Sequence, residues 1–317
     1  MDDHHHELLA HIASMYYEAE LTQSAIASEL GLSRVKIYRL LKQAREKQVV
    51  QIKINWPAAR DKDLESKLQQ QFGLKEALVL KTTFRTHTPI LQRLGQIGAR
   101  YLERILGDEM TLAICLGSST YEVIKAISPD FRAKVRVAQA MGSMPFTLHE
   151  LDSAALARQL AQKLGGEVLY LSSPLMADSL EAAKVLRSQR EIERTLAAAR
   201  QADVALVGIG NLDPATAGFV EAGFITPEEL AALRADGAVG DVAGQIFTIT
   251  GDLHPCQYNQ RLIGITFEEL CQIPTTIAIA RGREKVGAIL GCLRTCVLNI
   301  LCTDDETARE VLNLNGA

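Results

Sequence analysis

Apolar positions in the first fifty residues recur at helical spacing. Leu8, Ile12, Met15 and Tyr16 predict a helix over 7–17. A second, short helix follows Thr22, which can cap it; its inward face reads Ala25, Ile26 and Leu30. Gly31 stops that helix, at a turn suited to a residue tolerant of positive φ. Ser33 can cap a third helix with Ile37, Leu40, Leu41 and Ala44 on its buried face. Val49–Ile54 alternates like a short strand, and Trp56–Pro57 breaks it. Residues 62–72 carry Leu64, Leu68 and Phe72 on one side, which predicts an amphipathic helix, either a linker or a dimer seam. The domain boundary is placed near Pro57.

From residue 74 the pattern changes. Short apolar or β-branched runs occur at Ala77–Leu80, Thr111–Leu116, Val135–Met141, Val168–Leu171, Val204–Ile209, Thr276–Ala280 and Val297–Cys302. Helical patterns separate most of them, at 90–106, 120–127, 153–164, 178–200, 227–234, 284–294 and 305–313. Thr226–Pro227–Glu228–Glu229 is a well-formed helix start, with a cap, Pro at the first position and Glu at the third. Buried strands alternating with helices predict a Rossmann-like α/β domain with a largely parallel sheet. The expected architecture is a helix-turn-helix domain over 1–56 and a larger α/β domain over 57–317.

Composition adds exclusions. The 317 residues are 47% hydrophobic and 23% charged, which excludes disorder for most of the chain. No apolar run reaches about 18 residues, and the acidic start MDDHHHELLAH has no secretory core, so a cytoplasmic protein without a membrane span is expected. Six cysteines do not make a disulfide scaffold; Cys115, Cys271, Cys292, Cys296 and Cys302 read as buried thiols in apolar segments. No CxxC pair or nearby His completes a tetrahedral set, so neither a metal nor a cofactor is expected.

The net charge of −4 speaks against nucleic acid until it is partitioned. Residues 1–32 hold six acids and no Lys or Arg, whereas 33–53 hold seven bases and one acid. That basic run lies on the third helix and its extension, and the second helix of a helix-turn-helix enters the major groove by its N-terminal half. Arginine can read guanine edges there, while Lys36, Lys42 and Arg45 suit phosphates. The candidate DNA-contacting residues are Thr22, Gln23, Ser33, Arg34, Lys36, Tyr38, Arg39 and Lys42. The bland alternative is a solvated basic helix in a small bundle.

Parallel sheets bind ligands at the carboxyl ends of their strands. Leu116–Gly117–Ser118–Ser119–Thr120 follows a strand and opens a helix, which suits an anion or a plain strand-to-helix turn. Met141–Gly142–Ser143 is a second strand end, and the glycines of Val207–Gly208–Ile209–Gly210–Asn211 permit close approach of a ligand or of backbone. Asp241, in the glycine-rich stretch 237–244, reads as a turn residue that either accepts sugar hydroxyls or serves an Asx turn or a helix cap. Arg281, Arg283 and Lys285 suit a phosphate or a solvated helix start.

In this order, YYEAELTQSAIASELGLSRVKIYRLLKQAREKQVV, ADVALVGIG at 202–210, GAVGDVAG at 237–244 and VLNILCTDDETA at 297–308 resemble the SorC-type (SorC/DeoR) sugar-responsive transcriptional regulators of bacteria. The resemblance covers almost the whole chain. It implies a sugar-binding domain similar to sugar-phosphate isomerases and deaminases, operator DNA as partner, and a homodimer or homotetramer acting as repressor or activator. By position, Gly117, Ser118, Ser119 and Thr120 match the family's phosphate loop. Gly142 and Ser143 match its second glycine turn, Asp241 its acid, and Lys285 a ligand-facing lysine; Gly210 completes the effector set. Leu116, Ser118, Ser143, Gln245, Thr248 and Thr295–Cys296 depart from the family's usual residues, so the carbohydrate effector is expected either phosphorylated or not. No enzymatic activity is expected; the alternative is an isomerase- or deaminase-like enzyme with a DNA-binding head, using Asp241 as base and Lys285 as clamp.

Overall fold

The computed structural model describes residues 3–50, 59–82, 89–144, 152–295 and 297–316. It divides the chain into two units, Met1–Pro57 and Ala58–Ala317.

The first unit has three helices, α1 (Asp3–Tyr17), α2 (Gln23–Glu29) and α3 (Arg34–Glu46). Thr22 Oγ1 accepts the Ala25 N–H and Ser33 Oγ accepts the Lys36 N–H, each at 3.2 Å, so both predicted caps form. Gly31 turns the chain between them at φ +64°, where a Cβ would be strained. The core comprises Leu9, Ile12, Ala13 and Met15 of α1, Ile26 and Ala27 of α2, and Ile37, Leu40, Leu41 and Ala44 of α3. Two expected inner positions are corrected. Leu8 lies at the rim, with Leu9 inside; Ala25 is exposed, with Ala27 inside. α2 turns Ile26 and Ala27 inward, and at about 100° per residue Ala25 falls on the far side of that pair. Only Val49 and Val50 of the expected strand fall among the described residues.

The second unit opens with α4 (Lys62–Phe72), capped by Asp61 and closed by Gly73. Leu64 and Leu68 are buried in this unit's core, so α4 is a core helix rather than a linker or seam. There follow β1 (Glu76–Leu80), α5 (Ile90–Ile105), β2 (Thr111–Ile114), α6 (Ser118–Ala126), β3 (Arg136–Gln139), α7 (Ser153–Leu164) and β4 (Glu167–Leu169). The helix expected over 178–200 is two, α8 (Leu180–Arg187) and α9 (Arg190–Arg200), broken where Ser188 Oγ bonds back to the Val185 carbonyl. Next come β5 (Val204–Asn211), α10 (Gly218–Glu221), α11 (Pro227–Ala235), β6 (Ala238–Val242), β7 (Gln245–Thr248), α12 (Gln257–Arg261) and α13 (Phe267–Cys271). The chain ends with β8 (Thr275–Ile279), α14 (Val286–Leu293), β9 (Ile300–Asp304) and α15 (Asp305–Gly316).

Seven strands form a parallel sheet in the order β1-β9-β8-β5-β2-β3-β4. Its two faces differ. One presents Ala77, Ala113, Ala138, Ala205 and Ala278 to a core that includes α4 and α9; the other presents Leu78, Leu112, Val137, Leu206 and Ile277 to α5, α6 and α7. The chain walks outward from β2 through β3 to β4, then returns to β5 on the other side of β2 and walks outward through β8 and β9. The direction therefore reverses between β2 and β5, and a crevice opens there at the carboxyl ends of the strands.

Within the stretch 237–244, expected as a turn, Ala238–Val242 form β6, which pairs antiparallel with the end of β5 (Gly210 opposite Asp241) and with β7, and the turn proper is Ala243–Gly244. Ala238, Gly240 and Val242 are buried and alternate with less buried positions, a strand pattern in which glycine replaces an apolar side chain. Cys271 is disulfide-bonded rather than the free thiol expected, whereas Cys115, Cys256, Cys292 and Cys302 are free and buried. Cys296 lies outside the described residues.

Candidate functional site

A cavity of about 200 Å³ occupies the crevice between β2 and β5. Gly117, Ser118 and Ser119 line it at the start of α6, which follows β2. Gly208 and Gly210 line it from β5, Asp241 and Gly244 from the β6–β7 hairpin, and Lys285 from the turn ahead of α14. Six residues singled out from the sequence thus meet: Gly117, Ser118, Ser119, Gly210, Asp241 and Lys285.

The β5–β6 pairing explains the central acid. β5 leaves the parallel sheet after Gly208 and carries Ile209–Asn211 into an antiparallel pair with β6. Asp241 then lies over Gly210, where a Cβ would overlap its carboxylate. Asp241 Oδ2 accepts the Gly244 N–H at 3.3 Å. Burial pushes its pKa up to about 6, against the opposing pull of Lys285 and the Gly244 N–H. Lys285 Nζ donates to the Ile209 carbonyl at 2.7 Å. Burial lowers its pKa, while Asp241 and Glu284 act to raise it. Asp241 and Lys285 thus face the same cavity, both partly desolvated and within each other's field.

The other sequence candidates lie elsewhere. Thr120 is fully buried and does not line the cavity. Gly142 donates its N–H to the Ile263 carbonyl at 2.8 Å, and a Cβ there would overlap the Pro174 carbonyl, so its smallness serves packing. Ser143 exchanges backbone bonds with Ser173 and Leu175 and lines a separate open crevice beside Gln139 and Tyr170. Arg281 pairs with Asp304 at 2.9 Å, and Arg283 with Glu306 and Glu310 at 3.0 and 2.9 Å; neither arginine lines the cavity. The positive charge expected from three residues comes there from Lys285.

Residues outside the expected effector set complete the wall. Leu116, Met141, Met144, Leu175 and Phe219 give it an apolar side. Asn211, Thr216 and Glu221 add polar groups from the segment after β5. Asn211 Oδ1 accepts from the Asp213 N–H at 2.8 Å and from Thr216 Oγ1 at 3.2 Å, which folds that segment over the cavity. Asn211 directly follows the Gly208–Gly210 pair, a signal available in the sequence; the methionines carried none. A few fixed polar groups on an apolar wall are the chemistry of a site for a small polar molecule.

In the first unit, Arg34, Lys36, Tyr38, Arg39 and Lys42 are all exposed on α3. Thr22 and Ser33 spend their side-chain acceptors as caps and remain exposed, with Gln23 half-buried beside Thr22. Among the described residues, no cluster of three or more His, Cys, Asp or Glu is placed to hold a metal ion, and no helix is long and apolar enough to cross a membrane.

Comparison with known proteins gives consistent matches. The Sugar-bind family ("Putative sugar-binding domain") matches residues 57–313. The transcriptional regulator LsrR of Enterobacter sp. (strain 638) is 33% identical over 316 residues, covering 98% of this chain and 94% of that protein. The deoxyribonucleoside regulator of Bacillus subtilis (strain 168) is 29% identical over 313 residues, covering 99% of each. The crystal structure of the full-length sorbitol operon regulator SorC from Klebsiella pneumoniae superposes with a TM-score of 0.70 at 29% identity, covering 98% of this chain and 100% of that one.

Proposed function

Because the chain belongs to the sugar-binding-domain family of SorC-type transcriptional regulators, we propose that it is a DNA-binding regulator of a carbohydrate uptake or catabolism operon. In this reading, residues 1–56 are the operator-binding domain and 57–317 the effector-binding and oligomerisation domain. The protein acts in the cytoplasm as a homodimer or homotetramer, since a two-fold operator matches a two-fold protein. The effector is a sugar, sugar phosphate or polyol held by Gly117, Ser118, Ser119, Gly210, Asp241 and Lys285. The observation that carries this reading is the desolvated Asp241–Lys285 pair at the strand-order reversal, in a chain that also presents a basic helix-turn-helix.

Control of transcription requires the effector to bind the DNA-competent and DNA-incompetent states unequally. A thermal-shift screen of sugars, sugar phosphates and polyols identifies the ligand, and operator titration with and without it measures the coupling. A ligand that binds tightly yet leaves operator affinity unchanged overturns the switch. The perturbed pair also favours a second reading, in which Asp241 transfers protons in an isomerase- or deaminase-like reaction. Turnover of ribose 5-phosphate or glucosamine 6-phosphate by the full chain would support that reading; no turnover supports the regulator.

A further inference from the structure

The apolar residue most out of place in the first unit is Val35. It is 60% exposed, one residue into α3, and Tyr38, one turn on, is 52% exposed. Folding does not require either. At about 100° per residue, Val35 points about 170° away from the centre of the face formed by Ile37, Leu40, Leu41 and Ala44. Arg39 and Lys42 lie on the same outward stripe as Val35, at spacings of four and seven. Arg34 and Lys36 flank it, and Arg34 shares a groove with Thr22, Gln23 and Ser24 at the start of α2. An isolated apolar side chain ringed by cations does not make a protein-docking patch, which needs contiguous apolar area. It does match the major groove, where phosphates border a floor whose apolar feature is the thymine 5-methyl group.

We propose that Val35 reads a thymine methyl in each operator half-site, with Arg39 beside it on the base edges and Arg34 and Lys36 on the flanking phosphates. This rests on the regulator reading above and adds the base class that the recognition helix selects. Tyr38 is exposed beside Val35 on the next turn. The geometry separates the two arginines: the outward stripe carries Arg39, and Arg34 lies at its edge.

The test uses the full-length chain and the duplex sequence it enriches from a random-sequence pool. Each thymine of that duplex is replaced singly by deoxyuridine, which removes only the methyl group. The expected result is one position per half-site at which uracil weakens binding about fourfold, the worth of one buried methyl-sized group. 5-Bromouracil at that position restores it. Val35→Ala binds the thymine duplex about fourfold weaker per half-site and no longer distinguishes uracil from thymine. Because Val35 is exposed and Ala is a good helix former, the variant should fold as the parent does. The proposal is overturned if no uracil substitution weakens the parent, or if Val35→Ala keeps the parent's sensitivity to uracil. It is also overturned if Val35→Ala changes the mass in solution and leaves DNA binding intact, which would mark a protein contact. Failure to enrich any sequence refutes the regulator reading itself, and this proposal with it.

Discussion

Asp241→Asn should make the protein more stable at neutral pH while removing its response to effector. The carboxylate's pKa is raised from 3.8 to about 6, although Lys285 and the Gly244 N–H already pull it down. The residual shift is thus the net cost of keeping the ionised form in the cavity. Two units at about 1.4 kcal/mol each correspond to about 3 kcal/mol at pH values above the folded pKa. A raised acid favours the folded state most below 3.8, and that contribution is lost as pH rises through about 6. Asparagine keeps the size and an oxygen for the Gly244 N–H, but carries no charge at any pH. Its gain over the parent should therefore be fully present above pH 6 and vanish below pH 4. Thermal unfolding at a series of pH values, followed by circular dichroism, measures this; the variant should melt several degrees higher at neutral pH. Effector titration of both proteins at neutral pH provides the functional arm. A variant that melts lower than the parent at neutral pH, or one whose gain is the same at both ends of the range, refutes the reasoning.

Four single substitutions have further expected outcomes. Gly210→Ala places a Cβ against the Asp241 carboxylate and should drive it out of the cavity, so operator affinity without effector persists while the effector's influence in operator titration is lost. Gly142→Ala should cost about 1–3 kcal/mol in denaturant unfolding, because the Cβ meets a backbone carbonyl, yet leave effector affinity measured on the folded protein unchanged. Arg34→Ala and Arg39→Ala should each weaken operator binding in gel shifts without changing the melting temperature, with Arg39→Ala also relaxing preference at one base pair and Arg34→Ala lowering the salt dependence by about one unit of log–log slope.

The parts of the fold legible in the sequence share one property: a single period decides them. Leu64, Leu68 and Phe72 mark α4, and Ile37, Leu40, Leu41 and Ala44 mark the inner face of α3, because each packs against one partner layer. The parallel strands other than the edge strand β4 read as apolar runs because both of their faces are buried. What the sequence hid was short or glycine-rich. α10, α12 and α13 have four or five residues each, too few for a face to repeat. β6 was hidden because its inward positions include Gly240, and glycine within an apolar alternation reads as a turn. The same holds at the site. Ser118, Asp241 and Lys285 carry chemistry that a sequence displays, whereas Met141 and Met144 face the ligand space only because their strand ends beside it.

The glycines that gave the weakest signals one at a time are specific when taken together. A Cβ at Gly240 would lie 2.7 Å from the Gly210 carbonyl and would also strike Ala288 of α14. Gly210, in turn, lies under the Asp241 carboxylate. These two positions let β6 settle between the end of β5 and α14, and that is what sets Asp241 and Lys285, 44 residues apart in sequence, at one cavity. Larger residues at 210 and 240 would still permit a parallel sheet, since neither position lies in its register. They would not permit an ionised carboxylate in a desolvated position at the reversal of strand order. The arrangement costs stability at neutral pH, and a fold that needed only its sheet and helices would have no use for it. On the proposed effector reading, recognition of a polar ligand supplies that use, because a desolvated carboxylate is costly without donors and becomes favourable once hydroxyls donate to it.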